Sequence, residues 1–571
     1  MLLIETGTVL LLLLTAFWCP SIGSRWFGRV EDFLKAIAQR RVFSVALVGI
    51  SALAFRLTIL PLVPIPCPGV PDEFGYLLAS DTFAHFRLTN PPHPMWIHFE
   101  NLSEIQQPSY ASKYFPAQGL FLAAGQVFFG HPFWGVCISI ALMCAAICWM
   151  LQGWVSDIWA LIGGLLAVIR LGSFSYWSNS YWGGAVAAFG GALVLGALPR
   201  VQVGHRIRNA LILGIGLAIL EASRPYEGLL LSVPVLCVLL YRSFREHQVS
   251  WAKSASEILL PLALCGVIST AAMGYYCWRV TGKPWLTPYQ VAQDTYYPTP
   301  LFAWQPLRKM PHYNHAAFLA GFENWELPIY KGIREHPIGA SLVKSAHLWL
   351  FFFGPTLTAP FVILIFTLPY AFGWTDISAE SRILLSFAAI SFFGMLFPLF
   401  FNPGYAAPFT AIFYGLIVRA LRRVRLFKGT RLITGVAFSR AIAIACLALV
   451  GVRAAAKPLH ISVYGVRTWY SQDFQLTERV KIESALAAIG GRHLVLVRYP
   501  EQGLANVTEW VSNKADIDSS TVIWAHDMGE QQNRELIRYF SDRKIWLMDL
   551  TMEPPKLVVC GASAEGVLTR H

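Results

Sequence analysis

PFWGVCISIALMCAAICWMLQ, residues 132–152, contains no Asp, Glu, Lys or Arg. A bilayer crossing needs roughly 20 mostly apolar residues, and this stretch supplies them with no polar face to offer water. The rest of the chain has the same character. Of its 571 residues 55% are hydrophobic and only 14% charged, with a mean hydropathy of +0.49. Soluble chains carry roughly 25% charged residues, so three or four soluble domains are excluded, as are disorder, collagen and coiled coil. The composition describes an α-helical polytopic membrane protein.

Further spans are expected at Leu2–Trp18, Val42–Leu62, Asp157–Leu171, Gly183–Leu198, Ala210–Ala222, Tyr226–Tyr241, Glu257–Cys277, His347–Tyr370, Ile383–Phe401, Ala407–Val418 and Leu432–Val452. With residues 132–152 they make about twelve transmembrane helices, some shorter than a full crossing. The first carries Glu5, lacks a basic leader and ends in Phe-Trp-Cys-Pro, so it is read as a retained helix.

The net charge of +12 comes largely from short loops between spans. Arg25, Arg29, Lys35, Arg40 and Arg41 form one basic group, and Arg200, Arg206 and Arg208 a second. Arg242, Arg245 and Lys253 form a third, and Arg419 through Arg431 a fourth. All four fall on one face of the map, as positive charge retained in the cytoplasm requires. Topology therefore accounts for the basicity, and no nucleic-acid partner is expected. Residues 1–452 form a multi-pass domain in the inner or plasma membrane, with external loops 63–131 and 278–345. Residues 453–571 form a small external, periplasmic α/β domain. Its helices are expected at Leu476–Ile489 and Glu530–Phe540, and its strands at His493–Val497, Thr521–Ala525 and Lys544–Met548. No glycine-rich phosphate loop follows those strands. The ten cysteines include no CxxC pair and no zinc-ligand spacing.

Three short elements carry candidate chemistry. In the first external loop Pro71 introduces Asp72 and Glu73, followed by Tyr76 and Ala79. Acidic residues after a proline complement the dipole of a helix start, and a carboxylate fixed there can also serve as a general base. Later in that loop comes Lys113-Tyr114-Phe115-Pro116. A lysine at headgroup depth either snorkels or holds a phosphate as a point charge. Arg224-Pro225-Tyr226-Glu227 then interrupts two spans at their external ends, where the arginine either pairs with Glu227 or grips a phosphate. His85, His93 and His98 lie in the loop with Glu100 and Glu104 at no ligand spacing, and the histidines are expected to be solvated. The aromatics Phe174 to Trp182, and Trp278 to Trp304, are expected in interfacial belts, with sugar stacking as the alternative. The sequons at Asn101 and Asn506 are short enough to arise by chance.

Taken together, and on motifs in roughly the first 240 residues, these elements resemble the GT-C class of integral-membrane glycosyltransferases, especially the branch of protein O-mannosyltransferases and lipid A aminoarabinose transferases. Phe115 stands where that pattern commonly has a second proline. The resemblance implies a monosaccharide donor on a polyprenyl phosphate, a lipid, glycan or protein acceptor with a free hydroxyl, and inversion. It implies Asp72 as base with Glu73 in reserve, Lys113 and Arg224 on the leaving phosphate, and Tyr76, Tyr114, Tyr226 and Glu227 around the substrate. No cofactor is required by it, and a divalent cation is compatible with it. Two other classes fit the composition: a secondary transporter, against which stands the lack of similarity between halves, and an envelope scaffold, which leaves the three elements without a role.

Overall fold

The computed structural model describes residues 1–245, 251–367, 373–427, 434–463, 467–471, 475–500 and 509–560. The uncharged stretch forms the helix Phe133–Leu151, and Met143, Cys144, Ile147 and Cys148 on it are fully enclosed. Around it pack Arg41–Thr58, Asp157–Leu171 and Ala185–Val203, so the run that marks the membrane also forms the centre of the bundle.

Among the described residues eight helices are long and apolar enough to cross a membrane, or nine if one bent pair counts as a single span. The count of about twelve is therefore not confirmed by length and composition alone. Leu2–Trp18, Asp157–Leu171 and Arg206–Glu221 do form helices, but of 17, 15 and 16 residues. The stretch expected as one span over His347–Tyr370 is instead two helices, Pro337–Phe352 and Gly354–Thr367, meeting at 98°. Gly354 takes the left-handed φ of +54° that the corner needs, which a residue with a Cβ adopts only under strain. Tyr370 lies outside the described residues. The first basic group, expected in a loop, lies mostly on the amphipathic helix Ser24–Gln39, held to the bundle by Glu31 between Arg425 (2.8 Å) and Arg440 (2.9 Å).

Beyond the last span, the tail folds as a four-stranded sheet in the order Val522–His526, His493–Arg498, Lys544–Asp549, Lys556–Val559. The first three strands are parallel, and the fourth runs antiparallel with Trp546 opposite Val559. Alternation along the strands gives the sheet two apolar faces. One face, with Val495, Val497, Trp524, Trp546 and Met548, packs on Leu486 and Trp510. The other, with Leu494, Leu496, Ile523 and Ala525, shares a core with Leu78, Phe99 and Tyr110 of the first long loop. Polar ties cross the same junction: Asn101 Nδ2 donates to the Val511 carbonyl (3.0 Å), Ser512 Oγ to Glu104 Oε1 (3.0 Å), and the Ala515 amide to Asp81 Oδ2 (2.8 Å).

That docking corrects two expectations. His93 and His98 are not solvated but buried in the junction, while His85 alone of the three is exposed. Asn101 of the first sequon is fully enclosed by the tail; the second sequon lies outside the described residues. Nor do the first aromatics form a belt. Phe174, Tyr176, Trp177 and Tyr181 are core residues, because the loop carrying them folds inward against the helix Pro71–Ala84, where the Tyr181 amide donates to Glu73. In the second group Trp278, Trp285 and Trp304 are exposed, whereas Tyr296 is buried and Tyr289 and Tyr297 are half-buried.

Candidate functional site

Asp72 and Glu73 occupy the first turn of the helix Pro71–Ala84, with Pro71 at its opening position. Neighbouring side chains on a helix point about 100° apart, so the two carboxylates face different surroundings. Glu73, 1% exposed, turns inward. One of its oxygens accepts from the amides of Gly69 (2.9 Å) and Val70 (3.3 Å), and the other from the amide of Tyr181 (2.9 Å). It ties the start of its helix to the buried aromatic loop. Asp72 turns the other way, half-buried, and its Oδ1 accepts from the Tyr114 hydroxyl and from Ser103 Oγ (3.4 Å).

Tyr114 reaches Asp72 because a short antiparallel hairpin, Glu104–Ile105 with Ala111–Ser112, lies directly on the carboxylate helix. The close approach is possible only at a glycine. A Cβ on Gly75 would stand 2.7 Å from the Ser103 carbonyl oxygen and 3.0 Å from the Tyr114 ring. One turn on from Asp72, Tyr76 stacks on Tyr114 with ring centres 4.3 Å apart and planes at 21°.

Lys113 does not snorkel. It is 7% exposed, and its Nζ donates to the Leu102 carbonyl (2.9 Å) and to the Tyr297 hydroxyl (2.8 Å), beside the rings of Tyr114 and Tyr297. Burial lowers its pKa, and the charges of Asp72 and Glu326 oppose the shift. Glu326 is itself buried and accepts from Thr299 Oγ1 (2.6 Å). Burial pushes its carboxyl up to about 7, against the pull of Thr299 and Lys113.

Arg224 sits in the break before the helix Pro225–Arg245, half-buried, with its guanidinium carbon over the Tyr405 ring, 4.5 Å from its centre. Tyr76, Glu227, Tyr405 and Tyr114 all stand within its electrostatic reach. Among the described residues its guanidinium has neither an ion-pair partner nor a hydrogen-bond acceptor. Glu227, buried nearby, thus does not pair with it directly. Tyr226 points elsewhere, donating to the Gly394 carbonyl (2.8 Å) and packing on Phe302.

The fold therefore gathers Asp72, Tyr76, Lys113, Tyr114, Arg224 and Glu227 in one place, sends Glu73 into the scaffold and turns Tyr226 aside. It also brings in Tyr405 and Arg467, which sequence reading passed over, and Tyr289, which it read only as a belt or sugar-stacking aromatic. Tyr289 and Tyr405 both lie within reach of Asp72, Arg224 and Glu227. Tyr405 follows Asn402-Pro403-Gly404, a break between two apolar helices of the same kind as Arg224-Pro225, and that was its available signal. Arg467, from the segment after the last span, lies over Trp182 at 4.5 Å and within reach of Tyr405. Nothing in its local sequence marks it. Among the described residues no group of three or more His, Cys, Asp or Glu side chains could hold a metal ion.

No protein-family profile matches the chain, and no curated protein matches it by sequence. Its fold is similar to solved structures at low identity. One is ArnT from Cupriavidus metallidurans bound to undecaprenyl phosphate, with 12% identity and a TM-score of 0.47 over 90% of this chain and 94% of that one. Another is the oligosaccharyltransferase of Archaeoglobus fulgidus tethered with an acceptor peptide, with 13% identity and a TM-score of 0.43 over 89% and 68%. A third is that same oligosaccharyltransferase in complex with Zn and sulfate, at 13% identity and 0.42 over 89% and 67%. The chemistry of this chain rests on its own side chains.

Proposed function

We propose that this protein is a membrane glycosyltransferase that moves a monosaccharide from a polyprenyl-phosphate donor to a hydroxyl acceptor, with inversion, on the external face of the inner or plasma membrane. One observation carries the reading: a half-buried carboxylate, Asp72, and a guanidinium, Arg224, that has no anion of its own among the described residues stand within electrostatic reach of the same tyrosines, Tyr76, Tyr114 and Tyr405. A half-buried cation without a partner is partly desolvated for no return, and an anionic ligand offsets that cost. A planar guanidinium also matches the paired oxygens of a phosphate.

In this reaction Asp72 takes the proton of the acceptor hydroxyl as its oxygen attacks the anomeric carbon. The bond from that carbon to the phosphate oxygen breaks on the opposite face, and the lipid phosphate leaves with both electrons. Arg224 meets the charge that grows on the leaving oxygen, a preorganised electrostatic role. Lys113 adds a second positive charge behind Tyr114. Tyr114, donating to Asp72, sets the direction of the carboxylate. Glu73 is a positioning residue in this scheme, since its oxygens already accept from three backbone amides. Glu227 and the Tyr76, Tyr289 and Tyr405 rings shape the space for the sugar. The acceptor is a lipid, a glycan or a protein. A divalent cation is compatible with the scheme, though no step needs one.

The test is sugar transfer from a panel of radiolabelled polyprenyl-phosphate monosaccharides, in membranes with matched amounts of each variant. Asp72→Asn is expected to lower the rate by about 10²–10⁴, the usual contribution of a general base. Transfer by Asp72→Asn at the wild-type rate would remove Asp72 from the chemistry.

A further inference from the structure

The first helix, Leu2–Trp18, packs along Thr434–Ala454 and Gly354–Thr367, and within it stands one charged residue, Glu5, 1% exposed. An ionisable group inside an apolar bundle is expensive unless paired and hydrogen-bonded, and it usually marks a function. Glu5 is fully engaged. Its Oε1 accepts from Arg170 Nη1 (3.1 Å), from the Thr356 amide (3.3 Å) and from Thr356 Oγ1 (2.7 Å). Arg170, equally buried, also donates to the Phe353 carbonyl (3.0 Å) at the 98° corner.

These bonds alone would make Glu5 a staple between helices. Its other oxygen does something different. Oε2 accepts from the Trp469 indole N–H (3.0 Å), and Arg170 lies over that ring at 4.5 Å. Trp469 belongs to no helix; it sits in the segment between the last span and the tail. The segment is tightly turned, with the Thr468 amide donating to Ser471 Oγ (2.7 Å) and Ser471 Oγ to the Thr468 carbonyl (3.2 Å). Arg453 Nε fastens it again at the Tyr470 carbonyl (2.6 Å). Two residues before Trp469 comes Arg467, over Trp182 and within reach of Tyr405, the ring that Arg224 also covers.

We infer that Glu5 is a positioning residue for the site: through the Trp469 indole it fixes residues 467–471 and so holds Arg467 where it adds positive charge beside Arg224. What Arg467 meets there rests on the proposed glycosyl transfer, but the placement of the segment does not. The experiment therefore has two readouts, both on the full chain in lipid nanodiscs. Trp469→Phe removes the indole donor while keeping a ring under Arg170, and guards against a Glu5→Gln variant that fails to fold. In amide hydrogen exchange, both variants are expected to speed exchange at 467–471 and leave the strands His493–Arg498 and Val522–His526 unchanged. Unchanged exchange at 467–471 would overturn the inference. In binding of undecaprenyl phosphate, Trp469→Phe is expected to weaken affinity about tenfold, the scale of one lost hydrogen bond to a charged group. In an Arg467→Gln background it is expected to have no further effect, because both changes act through one side chain. Additive losses would reduce Glu5 to a staple and overturn the inference. A wild-type chain that does not bind undecaprenyl phosphate would count against the proposed function and leave the exchange result to decide this one.

Discussion

Gly75 shows how closely the hairpin packs on the carboxylate helix. Its missing side chain lets the Ser103 carbonyl and the Tyr114 ring lie on the carboxylate helix, and Tyr114 is the group that orients Asp72. Because the nearest atom to an added methyl is backbone, the hairpin would have to shift as a unit. Gly75→Ala is expected to destabilise by about 1–3 kcal/mol, as overpacked sites do. Its mark should be a fall in transfer rate larger than any fall in donor binding, measured by comparing kcat with KM. An equal fall in both would place Tyr114 outside the orientation of the base. Why Asp72 rather than Glu73 faces Tyr114 was not legible from the dipeptide. Either residue suits the first turn of a helix, and only the amides of Gly69, Val70 and Tyr181 single out Glu73 for the scaffold.

The corner at Gly354 is an element-sized version of the same problem. Hydropathy over 347–370 runs on without a charge, so a single span was the natural reading. The chain turns there because Gly354 permits a left-handed backbone and because Arg170 and Glu5 satisfy the groups that the broken ladder exposes. A Cβ on Gly354 would lie 3.0 Å from both Arg170 Nη2 and Glu5 Oε1. Gly354→Ala is expected to cost roughly 1–2 kcal/mol in backbone strain alone, with the disturbed ion pair adding to it. Thermal unfolding in detergent should show the loss, and an unchanged Tm would mean that the corner relaxes freely. Other elements were readable from pattern. The strands His493–Arg498, Val522–His526 and Lys544–Asp549 fall where runs of β-branched and aromatic residues lie between polar breaks.

Across the molecule, the junction between the first long loop and the tail is a set of buried titratable groups with opposite responses to pH. Burial raises the carboxyls of Glu104 and Glu509 to about 8 each. Burial lowers His98 to about 4, and together with the neighbouring His315 it holds His526 well below the usual histidine range. His315 and His526 stack at 3.9 Å, and His315 stands 3.3 Å from Glu100. Both carboxyls must take up a proton to bury, so their contribution is complete below about 4.5 and is lost as pH rises towards about 8. The histidines must give one up, so theirs is complete above about 6.5 and is lost as pH falls towards 4. Docking is expected to be tightest at mildly acidic pH and to loosen on either side. Protease sensitivity of the tail from pH 4 to 9 checks this, and a flat profile would mean that the buried groups titrate without undocking.

Local properties of the chain were enough for the membrane class, for most of the apolar helices and for three of the four strands of the tail, because hydrophobicity and its period act over a few adjacent residues; the strand Lys556–Val559 was missed. They also sufficed to nominate Asp72, Lys113 and Arg224, since a charge at the edge of an apolar run needs a reason wherever the chain goes afterwards. Only the packed structure could decide which span breaks, which carboxylate faces Tyr114, and that Tyr405, Arg467 and Glu5 belong to the same arrangement. Those facts depend on contacts between segments hundreds of residues apart, and such contacts are set by the collective fit of helices, not by any one stretch of sequence.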